Sequence, residues 1–214
     1  MKIAIIGVGL IGGSMALKLR EKGLASYVYG IDSNEKHLRE AKKLGIIDES
    51  SSLENGITNA NLIIIAIPVD AARHILPSVL DLMNEKQTVM DVGSTKAGIT
   101  EAIKNHSKRH RYVATHPMWG TENSGPQSAI KDSFSNRAAV ICDQEKSAQD
   151  ALKQVRAVYQ ALDMNLLYMT ATDHDIHTAY ISHISHITSY ALANTVLEKE
   201  KEERRAFFKD LSNR

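Results

Sequence analysis

Along these 214 residues short apolar runs alternate with segments of helical period, and that order predicts an α/β protein on a doubly wound parallel sheet. Two further features agree. Several runs are apolar without alternation, as strands buried on both faces of a parallel sheet are. The first run also passes directly into a helix through a glycine-rich turn.

The expected strands are Lys2 to Ile6, Tyr27 to Ile31, Leu62 to Ala66, Thr88 to Val92, Tyr112 to Thr115, Ala138 to Cys142 and Asn165 to Tyr168. Helical spacing occupies Leu10 to Lys22, Glu35 to Leu44, Ala71 to Met83, Lys96 to Asn105 and Ser147 to Leu162. Right-handed crossovers would connect them. The segment Pro117 to Asn136 breaks this rhythm. It is rich in Gly, Ser and Asn and too long for a plain connection, so it is expected to be a functional loop. After Tyr168 the character changes: Thr172 to about Leu197 reads as one long helix, followed by the charged run Glu198 to Arg205. The expected division is a dinucleotide-binding domain over 1–169 and a helical domain over 170–214. The second part is too short to bury a core of its own.

Composition narrows the class. Lys and Arg number 26 against 25 Asp and Glu, a formal charge of +1, which gives no electrostatic reason for a nucleic-acid or membrane-surface partner. With 43% hydrophobic and 24% charged residues, the chain reads as an ordinary globular protein. The single cysteine, Cys142, forms neither an internal disulfide nor a thiolate metal site, and cytoplasmic residence is expected. Met1-Lys2 and the apolar stretch Ile3 to Leu10 imitate a short secretory signal, but Gly7, Gly9, Gly12 and Gly13 interrupt it. No run approaches the roughly 18 apolar residues of a membrane span. The expectation is a cytoplasmic chain with its mature N-terminus intact.

Gly7-Val8-Gly9-Leu10-Ile11-Gly12 follows the first strand and opens the first helix, the context a Rossmann-type fingerprint requires. The first glycine permits the tight turn and the second lets the backbone approach a pyrophosphate. The third allows close helix–strand packing, leaving helix N-terminal amides aimed at the phosphates. Asp32 stands twenty residues beyond Gly12, at the end of the second strand. A carboxylate there accepts hydrogen bonds from ribose hydroxyls and repels a 2′-phosphate, which favours NAD over NADP; Lys36 is close enough to keep NADP open. The competing explanation is a glycine turn with an incidental surface Asp. At the next junctions, Ile67-Pro68 and Ser94 fall at strand ends beside the same crevice, although Pro68 is equally an ordinary loop residue and Ser94 equally a helix N-cap.

Of nine histidines, His37, His74, His106 and His110 read as solvated side chains. His116 differs, because its strand delivers it to the edge where substrate must lie. On the late helix, Ile176, Tyr180, Ile184, Ile187 and Ala191 form an aliphatic face that requires a partner surface, and a homodimer is expected. His186 lies on a smaller, more polar stripe with Ser182. The i, i+3 spacing of His183 and His186 lacks a completing carboxylate, so no metal is expected.

Taken together, the fingerprint with Asp32, Asp91-Val92-Gly93-Ser94, His116-Pro117-Met118-x-Gly120-Thr121-Glu122, and His174-Asp175 before Ser182-His183-x-x-His186 resemble prephenate dehydrogenase, with arogenate dehydrogenase as its close relative. The likeness runs from Met1 to about Phe208. It implies NAD-dependent oxidative decarboxylation of prephenate to 4-hydroxyphenylpyruvate in tyrosine biosynthesis, with the late helices beginning a dimerisation domain. His116 would accept the hydrogen bond of the substrate's 4-hydroxyl, and Ser94 would orient His116 and the cofactor. His186, supported by Ser182 and His183, would contact the carboxylate-bearing groups, with Thr121 nearby.

Two departures accompany the likeness. Trp119 stands where the family usually has a small residue. The family also continues well past this chain's length, into a segment with a carboxylate-binding arginine that Lys209 to Arg214 do not match. A truncated, weakly active form is therefore one expectation. Two alternatives stand beside it: a hydroxyacid or imine reductase using Lys96 as proton donor, and a dinucleotide-binding module without turnover.

Overall fold

The structure, a computed structural model, describes residues 1–184 and 187–199, the side chains of Ser182 and His183 excepted. In chain order its elements are β1 (Lys2–Ile6), α1 (Leu10–Glu21), β2 (Tyr27–Ile31), α2 (Glu35–Lys43), β3 (Glu49–Ser50), α3 (Leu53–Asn59), β4 (Leu62–Ile65), α4 (Val69–Leu82), β5 (Thr88–Asp91), α5 (Ala97–Ala102), β6 (Tyr112–Pro117), β7 (Ala138–Cys142), α6 (Gln149–Ala161), β8 (Asn165–Met169) and α7 (Ala171–Thr178).

The strands form one sheet in the order β3-β2-β1-β4-β5-β6-β7-β8. Strand order reverses between β1 and β4, whose register runs Ile3↔Leu62 to Ile6↔Ile65. The unalternating runs have the expected cause: Leu62, Ile63, Ile64 and Ile65 are all buried, because helices cover both faces of the sheet. Successive side chains of β1 enter opposite layers. Ile3 and Ile5 pack with Met15 and Leu19 of α1 and Val155 and Tyr159 of α6, while Ala4 and Ile6 pack with Leu76, Val79 and Leu80 of α4 and Ile99 of α5. Each such aliphatic side chain contributes about 1.5–3 kcal/mol of burial.

One strand departs from the parallel rhythm. β7 runs antiparallel to β6, with His116 opposite Val140, and β8 then returns parallel to β7 through α6. A parallel neighbour would need a crossover, and residues 118–137 carry only a short 3₁₀ turn at Pro126–Ser128. The chain therefore doubles back.

The first compact unit covers Met1–His174 and the second Asp175–Arg214. Within the second unit the long helix expected from Thr172 is interrupted: Ala179–His183 forms a π turn, and residues 187–199 are helical. Among the described residues no helix is long and apolar enough to cross a membrane.

Candidate active site

A cleft of about 320 Å³ opens at the carboxyl ends of β1, β4, β5 and β6. Leu10 and Ile11 line one side, Ala66 to Val69 the floor, Val92 to Ser94 and His116 the far wall, and Trp119 to Thr121 the rim.

The glycine turn is dictated by space. Gly7 has φ +95°, a conformation that disfavours any side chain, and a Cβ there would lie 2.4 Å from the Ala66 carbonyl oxygen. A Cβ on Gly12 would lie 2.1 Å from the Gly7 carbonyl oxygen, so only glycine lets α1 start this close to β1. Gly9 is the N-cap of α1. No side chain caps that helix end, and no acidic residue occupies its first turn. Asp32, at the end of β2, accepts from the Val8 amide at 3.1 Å and the Asn34 amide at 2.8 Å. It ties the glycine turn to the strand beside it.

Ile67 and Pro68 lie in the floor, and Pro68 is also the N-cap of α4. Ser94 is exposed at the cleft surface and Thr121 lies at its rim, where its hydroxyl accepts from the Asn123 amide. Trp119 packs edge-on against the buried Phe134 ring, with centroids 5.1 Å apart. The indole is thereby a fixed part of the rim. Residues 118–137 are strapped to α1 by the Ile130 amide donating to Ser14 Oγ at 2.8 Å, and by Lys18–Asp132 and Lys131–Glu21 ion pairs, each at 2.6 Å.

The side chain that meets His116 belongs to α7. His116 Nδ1 lies 2.9 Å from Nε2 of His174, which is 1% exposed on the first turn of α7. The sequence reading gave His174 no role, although a signal was present. Thr170-x-x-Asp173 is a capping box: the Asp173 amide donates to Thr170 Oγ1 at 3.0 Å, and that hydroxyl donates to Asp173 Oδ2 at 2.7 Å. The box fixes where α7 begins and so where His174 projects.

Lys96 requires a correction. Its side chain is fully buried, paired with Asp91 and donating to the Thr115 carbonyl at 2.8 Å, and it forms no part of the cleft wall. The reductase alternative loses its proton donor. His186 lies outside the described residues, as do the side chains of Ser182 and His183. Among the described residues no group of three His, Cys, Asp or Glu is arranged to hold a metal ion.

Residues 15–168 match the family model for the nucleotide-binding domain of prephenate dehydrogenase, and residues 170–210 match that for its dimerization domain. The chain belongs to the prephenate dehydrogenase family. It is 30% identical over 201 residues to the prephenate dehydrogenase of Bacillus subtilis (strain 168), covering 92% of this chain and 54% of that one. The chain thus spans about half the length of the curated relatives it matches first. Among solved structures it resembles the A. aeolicus prephenate dehydrogenase in complex with hydroxyphenyl propionate and NAD+, at TM-score 0.85 and 29% identity, covering 92% of this chain and 70% of that one. Synechocystis arogenate dehydrogenase is similar at TM-score 0.80 and 29% identity, with 91% and 69% covered. Family membership accounts for the uninterrupted order of the glycine turn, Asp91-Val92-Gly93-Ser94 and His116-Pro117-Met118 along one cleft.

Proposed function

We propose that the chain carries out NAD-dependent oxidative decarboxylation of prephenate to 4-hydroxyphenylpyruvate, in the cytoplasm and as a homodimer through its C-terminal helices. The observation that carries this reading is His116, buttressed by His174, on the wall of the cleft that opens beside the glycine turn.

The residues fit a dinucleotide. Gly7 and Gly12 let the turn close tightly on β1, Gly9 leaves open space where a pyrophosphate would approach, the first-turn amides of α1 have no side-chain cap, and Asp32 presents a carboxylate at the end of β2 beside the turn. NAD, when bound, supplies the hydride acceptor. Leu10, Ile11, Ile67 and Pro68 form the apolar side and floor against which its flat groups pack.

His116 accepts the hydrogen bond of the substrate's 4-hydroxyl. As hydride departs from ring C4 that hydroxyl becomes strongly acidic, and the imidazole takes its proton. When the bond to the ring carboxylate breaks, carbon dioxide leaves and its electron pair enters the ring. The ring becomes aromatic and the proton returns to oxygen. Aromatisation drives the reaction, so the protein's tasks are alignment and a positioned base, the latter supplying roughly 10²–10⁴ in rate. Ser94 orients His116 and the coenzyme, Thr121 lies near the substrate, and His186, supported by Ser182 and His183, contacts its carboxylate-bearing groups.

Arogenate is the second reading, favoured by the likeness to Synechocystis arogenate dehydrogenase at the same identity as the prephenate enzyme. The deciding experiment follows NADH formation with prephenate and with arogenate, each against NAD and NADP. Prephenate-dependent reduction of NAD is expected. Nucleotide binding without reduction by either substrate would sink the reading.

A further inference from the structure

The hydrogen-bonded register of β5 with β6 stops at Met90↔Val113. Past that point the strands diverge, and their extensions carry Ser94 and His116 to the cleft. The diverging ends are joined by side chains instead of backbone. Asp91 Oδ1 accepts from the Tyr112 hydroxyl at 2.7 Å and the Thr115 amide at 3.2 Å, and its Oδ2 accepts from the Gly93 amide at 2.9 Å and from the Lys96 ammonium. Lys96 also donates to the Thr115 carbonyl at 2.8 Å. Thr115 Oγ1 donates to the Asp91 carbonyl and accepts from the Tyr159 hydroxyl at 2.6 Å. Asp91, Lys96, Tyr112, Thr115 and Tyr159 are all fully buried.

We propose that Asp91 and Lys96 are positioning residues that set the opening between the β5 and β6 ends and so the place of His116. Thr115 is held at both its amide and its carbonyl, and that carbonyl belongs to the peptide entering His116. On the opposite edge His116 pairs with Val140 of β7, so its backbone is fixed from both sides. Stability does not account for the pair, since buried ion pairs are often no better than apolar side chains of the same volume. Replacing them with ladder hydrogen bonds would close the strands together and remove the wall of the cleft. Burial and the adjacent Asp91 carboxylate push the Tyr112 phenol well above its ordinary value, so it remains a donor to the bracket.

The consequence for turnover rests on the reaction proposed above; the placement of His116 does not, and the test reads the two separately. The variants are Lys96→Met with Asp91→Asn together, which removes both charges and leaves no unpaired ion, and Tyr112→Phe, which removes one strut. The measurements are prephenate turnover, NAD affinity and the ring ¹⁵N signals of His116. The double variant is expected to keep NAD affinity within about twofold and to lose about 10–100-fold in turnover, as misplacement by an ångström does. The His116 ring signals are expected to move in both variants, and Tyr112→Phe to lie between the double variant and the unsubstituted chain. Turnover within twofold of the unsubstituted chain in the folded double variant, or unmoved His116 signals, overturns the proposal. If no form turns over prephenate, the reaction reading fails, and the His116 signals alone decide whether the bracket positions the ring.

Discussion

His116 and His174 meet edge to face: Nδ1 of the first lies 2.9 Å from Nε2 of the second, and the ring planes cross at 76°. A neutral imidazole has one N–H and one lone pair, so this contact couples their tautomers. For His116 to accept a substrate hydroxyl at Nε2, its proton must sit on Nδ1 and be donated to His174. His174 must then be neutral, with its own proton on Nδ1. A protonated His174 would donate instead and turn His116 Nε2 into a donor, the wrong polarity for the reaction. His174→Phe is therefore expected to lower turnover by about 10–100-fold with little change in NAD affinity, whereas His174→Gln, whose amide oxygen can accept, should recover part of the loss. Steady-state rates and coenzyme titrations on both variants check this. Equal loss in the two would remove the tautomer argument.

Asp32 holds the glycine turn in the structure and has a second job under the proposed function, and its removal should show both. Its carboxylate receives the Val8 amide within the glycine turn, and the proposed coenzyme would bring a ribose to the same oxygens. Asp32→Ala is expected to weaken NAD binding by about tenfold through lost charged hydrogen bonds. The loss for NADP should be smaller, because the repulsion of a 2′-phosphate goes with the carboxylate. Parallel titrations with the two coenzymes measure the ratio, and an unchanged ratio counts against the ribose contact.

How much of this was legible beforehand depends on which residues carry the signal. Ile63, Ile64 and Ile65 announce a strand buried on both faces, and Gly7, Gly9 and Gly12 announce the turn, because these features are local. β3 is two exposed residues, and α3 contains Gly56 and two asparagines, so neither had a period to read. The reversal of β7 is not encoded in its own residues; it follows from the missing helix before it. Lys96 was misread because its sequence position, just past a strand end, says where its backbone lies and nothing about its ammonium folding inward to Asp91. His116 was legible as a strand-end residue, while its partner lay 58 positions away on another element.

The helical face that begins at Ile176 in α7 supplies a test of assembly. Ile176, Tyr180, Ile184 and Ile187 are between 46% and 69% exposed on the single chain, an apolar stripe that a second copy would cover. Sedimentation at micromolar concentration is expected to give twice the monomer mass. Ile187→Asp should raise the dissociation constant by about tenfold or more, the effect of a charge at a buried interface centre. Only monomer in the unsubstituted chain would contradict the homodimer.

A pH-dependent bolt joins α1 to the second strand. Arg20 grips Asp48 through both carboxylate oxygens, at 3.2 and 2.8 Å, and the Val28 amide adds a bond at 2.7 Å. The Arg20 hydrogen bonds hold the Asp48 carboxyl below its usual value, with burial opposing them. A carboxyl depressed in the folded state contributes stability above its unfolded value of about 4 and loses it as pH falls through the folded value. Both side chains are about a third exposed, so solvent screening leaves about 1 kcal/mol. Asp48→Asn is accordingly expected to be about 1 kcal/mol less stable at pH 7, with the deficit shrinking as pH falls through the folded value of the native carboxyl. Urea unfolding of both forms at several pH values measures it. A deficit that stays constant across that range would assign the effect to lost packing and not to charge.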